Sequence, residues 1–74
     1  MTRQEKKKPF DSVSLIRELQ VKGLTDLEQS VVVDFEYRKY MGDTDAEALN
    51  FVYFRYRKEG LDAYDAARKK LSGV

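Results

Sequence analysis

The chain contains no cysteine, no histidine and no tryptophan, and only one proline and four glycines in its 74 residues. Without cysteine there is no disulfide framework, which excludes the stapled secreted scaffolds. Without cysteine and histidine, the soft ligands of structural zinc, haem and iron–sulfur centres are missing, as are the commonest nucleophile and general base. Most familiar enzyme classes fall with them, and neither a cofactor nor a metal is expected. No stretch approaches the roughly 18 consecutive apolar residues of a membrane span. The segment from Met1 to Pro9 is basic but lacks the apolar run of a signal peptide. These absences lead to the expectation of a cytoplasmic protein with no membrane partner and no small-molecule substrate. An excess of one charge is lacking too: 14 Lys and Arg stand against 13 Asp and Glu, a net +1, well short of the surplus that marks dedicated nucleic-acid binders. A chain of this size buries only about 60% of the surface its unfolded form exposes, so it depends on well-capped helices, good packing or a partner.

What is present is helical periodicity punctuated by caps. Residues 1–9, with Arg3, Lys6, Lys7 and Lys8 ahead of Pro9, read as a disordered basic tail, and residues 10–74 as a single helical domain. Asp11 or Ser12 caps a first helix in which Val13, Leu15, Ile16 and Leu19 recur at three- and four-residue spacing up to Gly23. Thr25 with Glu28 forms a capping box that opens a second helix running to Gly42. Thr44 with Glu47 repeats the box before a third helix ending at Gly60, and Asp62 with Asp65 opens a short fourth that stops near Gly73. A local strand reading exists for Val31 to Tyr37, where β-favouring residues alternate. The capping box upstream and the uninterrupted length from Gly23 to Gly42 favour helix.

An internal repeat supports this. Aligning residues 25–39 with 44–58 matches Thr25, Asp26, Glu28, Val33, Phe35, Tyr37, Arg38 and Lys39 to identical residues 19 positions on. Eight identities in 15 positions compare with roughly one expected from average composition, so the two segments share one conformation. The expected fold is therefore all-α: a three- to four-helix bundle around a central helical hairpin.

Three constellations could carry function. Asp43, Asp45 and Glu47 have the alternate spacing that opens a calcium loop, but Ala48 stands where such a loop needs Gly and Phe54 where it needs the bidentate Glu. Helix capping explains these acids, and no metal is assigned. Basic residues gather towards helix C-termini, at Arg38 and Lys39, at Arg55, Arg57 and Lys58, and at Arg68, Lys69 and Lys70, while acids gather at N-termini. That distribution offsets helix dipoles. The third constellation is aromatic: of five Tyr and four Phe, seven lie between Phe35 and Tyr56. Leu49, Val52, Tyr53 and Tyr56 form one stripe and are expected to face the core, whereas Phe51 and Phe54 lie on another face. The second helix is likewise double-sided, with Leu27, Val31 and Phe35 on one flank and Val33, Tyr37 and Tyr40 on the other. The short outer helices, anchored in the fourth by Tyr64 and Leu71, cannot cover so much, and some aromatic surface is expected to stay exposed.

The stretch Leu24, Thr25, Glu28, Val31, Val32, Phe35, followed by Asp43 to Leu49, resembles the opening of helix-turn-helix regions in sigma-type and LuxR-type regulators and in phage small terminase subunits. The resemblance covers under half of the chain and implies DNA binding. Those regions then interrupt the chain with a tight turn before a recognition helix, whereas Asn50 to Glu59 contains no Gly, Pro or turn residue and is expected to run on as helix.

The function expected from these residues is that of a non-enzymatic interaction module, an adaptor or inhibitor. It would dock a larger protein through Tyr37, Tyr40, Phe51, Phe54, Arg55 and Arg57, since rigid rings framed by Arg are what interfaces enrich. A homodimer through the same surface is an equally economical cover. The alternative is a DNA- or RNA-binding protein using Arg3, Lys6, Lys7, Lys8, Arg55, Arg57, Lys58, Arg68, Lys69 and Lys70 on phosphates.

Overall fold

A computed structural model describes residues 9–73, and the regular structure among them is helical throughout: α1 (Ser12–Val21), α2 (Asp26–Tyr40) and α3 (Asp45–Leu71). No helix among these residues is long and apolar enough to cross a membrane. The tail expected over residues 1–9 lies, apart from Pro9, outside the described residues.

Each helix begins where its cap predicts. The Asp11 carboxylate accepts the Ser14 amide at 3.0 Å and the Ser14 hydroxyl at 2.8 Å, satisfying donors that a helix start leaves free. Thr25 and Thr44 close full capping boxes: the hydroxyls accept the Glu28 and Glu47 amides at 3.2 Å, and the two carboxylates accept the threonine amides at 2.9 and 2.8 Å. The strand alternative over Val31 to Tyr37 is thereby displaced by helix. The two copies of the repeat enter their helices with the same backbone, Thr25 at φ −71°, ψ 168° and Thr44 at φ −74°, ψ 167°.

They leave them differently. α2 ends at Gly42, whose φ of 108° suits a residue without Cβ, and the Asp43 amide reaches back to the Arg38 carbonyl at 3.0 Å. In the second copy the residue aligned with Gly42 is Leu61, so that exit is not available. The chain instead breaks at Arg57, which sits at φ 63°, ψ −152°, dividing α3 into residues 45–56 and 58–71. This corrects two expectations: Gly60 does not end a helix, and no separate fourth helix opens at Asp62. It also overturns the expectation that Asn50 to Glu59 runs on unbroken. The backbone region that Arg57 occupies is almost confined to glycine and costs about 1–3 kcal/mol.

Burial explains the break. Residues 58–71 fold back, so that Ala63 joins Val31, Phe35, Ala48 and Val52 in one core cluster, and Ala67 joins Leu19, Leu24 and Val32 in a second. Tyr64 lays its ring against Phe35 with centroids 4.6 Å apart, and Leu71 packs on the second cluster. A straight α3 would leave these side chains in water. Each Val or Phe buried contributes about 1.5–3 kcal/mol, more in sum than the helix loses at one residue. Gly60 makes the return possible. It is buried, and a Cβ there would lie 2.4 Å from the Tyr56 Cβ and 3.1 Å from a Val52 methyl. The core stripe of α3 is therefore Ala48, Val52 and half-buried Leu49 and Tyr56, while Tyr53, expected inside, is 48% exposed because the stripe rotates away from it. Leu27 is likewise exposed rather than on the packed flank with Val31 and Phe35.

The end of α3 is pinned by charge. Glu28 is buried, and its Oε1 accepts both the Thr25 amide and, at 2.8 Å, the Lys70 ammonium, which also donates to the Gly23 carbonyl at 3.2 Å. The Lys70 bond, then the Thr25 amide, hold the Glu28 carboxyl below the ordinary glutamate range against the opposing effect of burial. Because the folded value is depressed, the carboxylate stabilises the fold above its unfolded pKa, and that stability is lost as pH falls through the folded value. We expect a melting temperature level near neutrality and falling on acidification. Glu28→Gln should lower it at neutral pH and flatten the acid limb, as thermal unfolding followed by circular dichroism across the acid range would read.

Candidate functional site

The six residues expected to bind a protein are sorted by the fold into two groups. Tyr37 and Tyr40, on α2, gather around Phe10: the Phe10 ring meets Tyr37 edge-on at 5.4 Å and Tyr40 at 5.6 Å. Tyr40 is half-buried there, and Tyr37 keeps 44% of its surface in water. Phe10 was not among the expected residues, though it had a signal. It stands immediately before the cap Asp11, where an apolar residue often packs against the position four into the helix, here Leu15. Both line a groove of about 260 Å³ between α1, α2 and the end of α3, together with Leu19, Val32, Glu36 and Leu71.

The second group lies on the first half of α3. Phe54 is 74% exposed, the largest apolar side chain turned so fully to water among the described residues. Arg57 extends over its ring at 5.8 Å. Phe51, one turn earlier, is half-buried, and the Arg38 guanidinium covers its ring at 4.8 Å while donating to Asp43 at 2.7 Å. Arg38 was likewise unforeseen, since nothing local joins residues 13 apart. Arg55 leans back towards α2, with Nε 3.5 Å from Asp34 Oδ2, the same oxygen that takes the Tyr56 hydroxyl at 2.5 Å. Burial, and then the bond to Asp34, raise the Tyr56 hydroxyl above the usual tyrosine value. Tyr56 is thus a neutral donor that ties α3 to α2.

The repeat makes Phe54 informative. It occupies the position of Phe35, which is only 5% exposed. The whole core face of α2, Glu28, Val31, Val32 and Phe35, corresponds to Glu47, Asn50, Phe51 and Phe54 in α3. In α2 that face is covered by α3; in α3 it is turned outward, and Val52 and Ala48 do the packing instead.

The cations expected to meet phosphate are placed differently. Arg3, Lys6, Lys7 and Lys8 lie outside the described residues. Lys58 pairs with Asp62 at 3.4 Å, Lys69 with Asp65 at 3.7 Å and Lys70 with Glu28, while Arg68 donates to the Tyr64 hydroxyl at 3.4 Å. Arg57 makes no ion pair among the described residues. The four basic residues and one acidic residue of positions 1–8 leave ten basic against twelve acidic in the remainder, a net −2. The acids singled out for calcium are each engaged in holding helices: Asp43 on Arg38, Asp45 on Lys39 at 2.5 Å, and Glu47 in its capping box.

No protein family, no curated protein and no solved structure matches this chain.

The two phenylalanines separate surface from core by measurement. Phe35→Ala should cost about 3–5 kcal/mol, a large share of what so small a fold possesses, whereas Phe54→Ala should change unfolding by less than about 0.5 kcal/mol. Urea titrations of the two variants check this.

Proposed function

We propose that this protein is a non-catalytic interaction module, a small adaptor or inhibitor that docks a larger protein through the outward face of residues 45–56. One observation carries this reading: a repeat of the buried face of α2 is turned outward on α3, with Phe51 half-buried beneath Arg38 and Phe54 74% exposed. A Phe that is 74% exposed adds little to the monomer's core, but placed in a partner's apolar pocket it supplies large buried area at small entropic cost. Arg57, without an ion pair among the described residues, and the partly engaged Arg55 would meet carboxylates at the rim of that pocket. Tyr37 and Tyr40, gathered on Phe10, would belong to the periphery at most.

The nucleic-acid reading gains one specific support. The break at Arg57 stands where helix-turn-helix regions carry their turn, although no Gly or Pro from Asn50 to Glu59 announces it. Against it, Glu59, Asp62 and Asp65 crowd the first turns of residues 58–71, and the intramolecular pairs of Lys58, Lys69 and Lys70 offset their fields. The protein reading is therefore the one adopted.

Tagged wild-type protein and Phe54→Ala, used side by side as baits on host-cell extract treated with nuclease, separate the readings. We expect one stoichiometric protein with the wild type and its loss from Phe54→Ala. Equal recovery by both baits would remove Phe54 from the site. Recovery abolished by nuclease, with affinity for nucleic acid that falls steeply as salt rises, would establish the alternative.

A further inference from the structure

Residues 58–71 are joined to the rest of α3 through a single residue in an unfavourable backbone conformation, yet they make contacts that are complete in themselves. Ala67 sits on Leu19, Leu24 and Val32, Tyr64 lies tilted against Phe35, and Lys70 bonds Glu28 and the Gly23 carbonyl. None of these contacts requires that the segment belong to the same chain. The hinge itself favours release. Arg57 would relax if it became helical, and the residues around it, Tyr53 to Glu59, include no Gly or Pro to stop a helix. The crowding at Gly60 would relax as well: side chains four apart in a continuous helix have Cβ atoms about 5–6 Å apart, against the 2.4 Å that a Cβ at 60 would meet here.

We propose that two copies of this chain exchange residues 58–71. In each, α3 straightens at Arg57 into one continuous helix, and its second half fills the groove formed by the other copy's α1, α2 and residues 45–56, where Ala63 meets that copy's Ala48 and Val52. The 27 residues of α3 would then span about 40 Å, carrying Lys70 to the other copy's Glu28. All interhelical contacts of residues 58–71 re-form in trans, and the strain at both hinges is released, which is the condition under which domain swapping is favourable. Phe54 precedes the hinge and makes none of the contacts that pass between the copies, so the exchange does not depend on the function proposed above.

Two substitutions push the equilibrium in opposite directions. Gly60→Ala obstructs only the folded-back form, and it should tighten dimerisation about tenfold or more; Arg57→Gly makes the folded-back form unstrained, and it should weaken dimerisation by a similar factor. Sedimentation equilibrium from micromolar to millimolar protein, with helicity followed by circular dichroism, reads both. A charge exchange tests whether residues 58–71 themselves cross over. Glu28→Lys alone sets two cations against each other within its chain, and Lys70→Glu alone sets two anions. Mixed, the two variants recover both pairs only in trans, so native mass spectrometry should show heterodimer far above either homodimer. The proposal is overturned if Gly60→Ala stays monomeric across the concentration range, whether helical or unfolded. It is equally overturned if the two charge variants mix without preference, as a side-by-side dimer would.

Discussion

The buried carboxylate of Glu28 gathers into one place what would otherwise be three loosely related helices. One of its oxygens closes the start of α2 through the Thr25 amide and receives the ammonium of Lys70, which at the same time donates to the Gly23 carbonyl just beyond the end of α1. A half-made version of this arrangement would be unfavourable, because a carboxylate taken out of water without its cation pays heavily in lost hydration. The cluster therefore forms only when the far end of α3 has arrived, and its existence implies the fold-back that brings Lys70 within reach. Local capping and long-range closure share a single atom.

The same closure sets the tension within α3. Local preference asks for an uninterrupted helix from Asp45 up to Gly60, and nothing in the side chains from Asn50 to Glu59 opposes it. Burial asks for a return at that point, because Phe35, Val32, Leu19 and Leu24 are otherwise open on one side. Burial prevails, and the cost is concentrated at Arg57 with Gly60 as its accessory. Where the first copy of the repeat could end on a glycine in a left-handed turn, the second had to turn on a residue unsuited to it.

That conflict also marks what could be read in the sequence. The caps were legible because they are chemical signatures over four residues: Asp11, Thr25 with Glu28, and Thr44 with Glu47 all stand where they were expected. So was Val52 as core, and so were Tyr64 and Leu71 as the anchors of the last helical segment. The turn at Arg57 was not legible, since its cause is the packing of residues over 20 positions apart and its local signal points to helix. Tyr53 was misplaced for the related reason that a stripe admits small rotations, and only the neighbouring helix decides between Tyr53 and Ala48 as the packed edge. The candidate aromatic residues were visible as a group but not in their division, because Phe10 and Arg38 reach their rings across the fold and not along a helix.

The return of α3 has a consequence for the order in which the protein is made. α1, α2 and the first half of α3 are synthesised before residues 58–71, and helices form in microseconds or less. At about 5–20 residues per second, the last fourteen residues of α3 take roughly one to three seconds to synthesise. For that interval Leu19, Leu24 and Val32 have no lid, and the Glu28 carboxylate has no cation. A nascent chain in that state is an open socket.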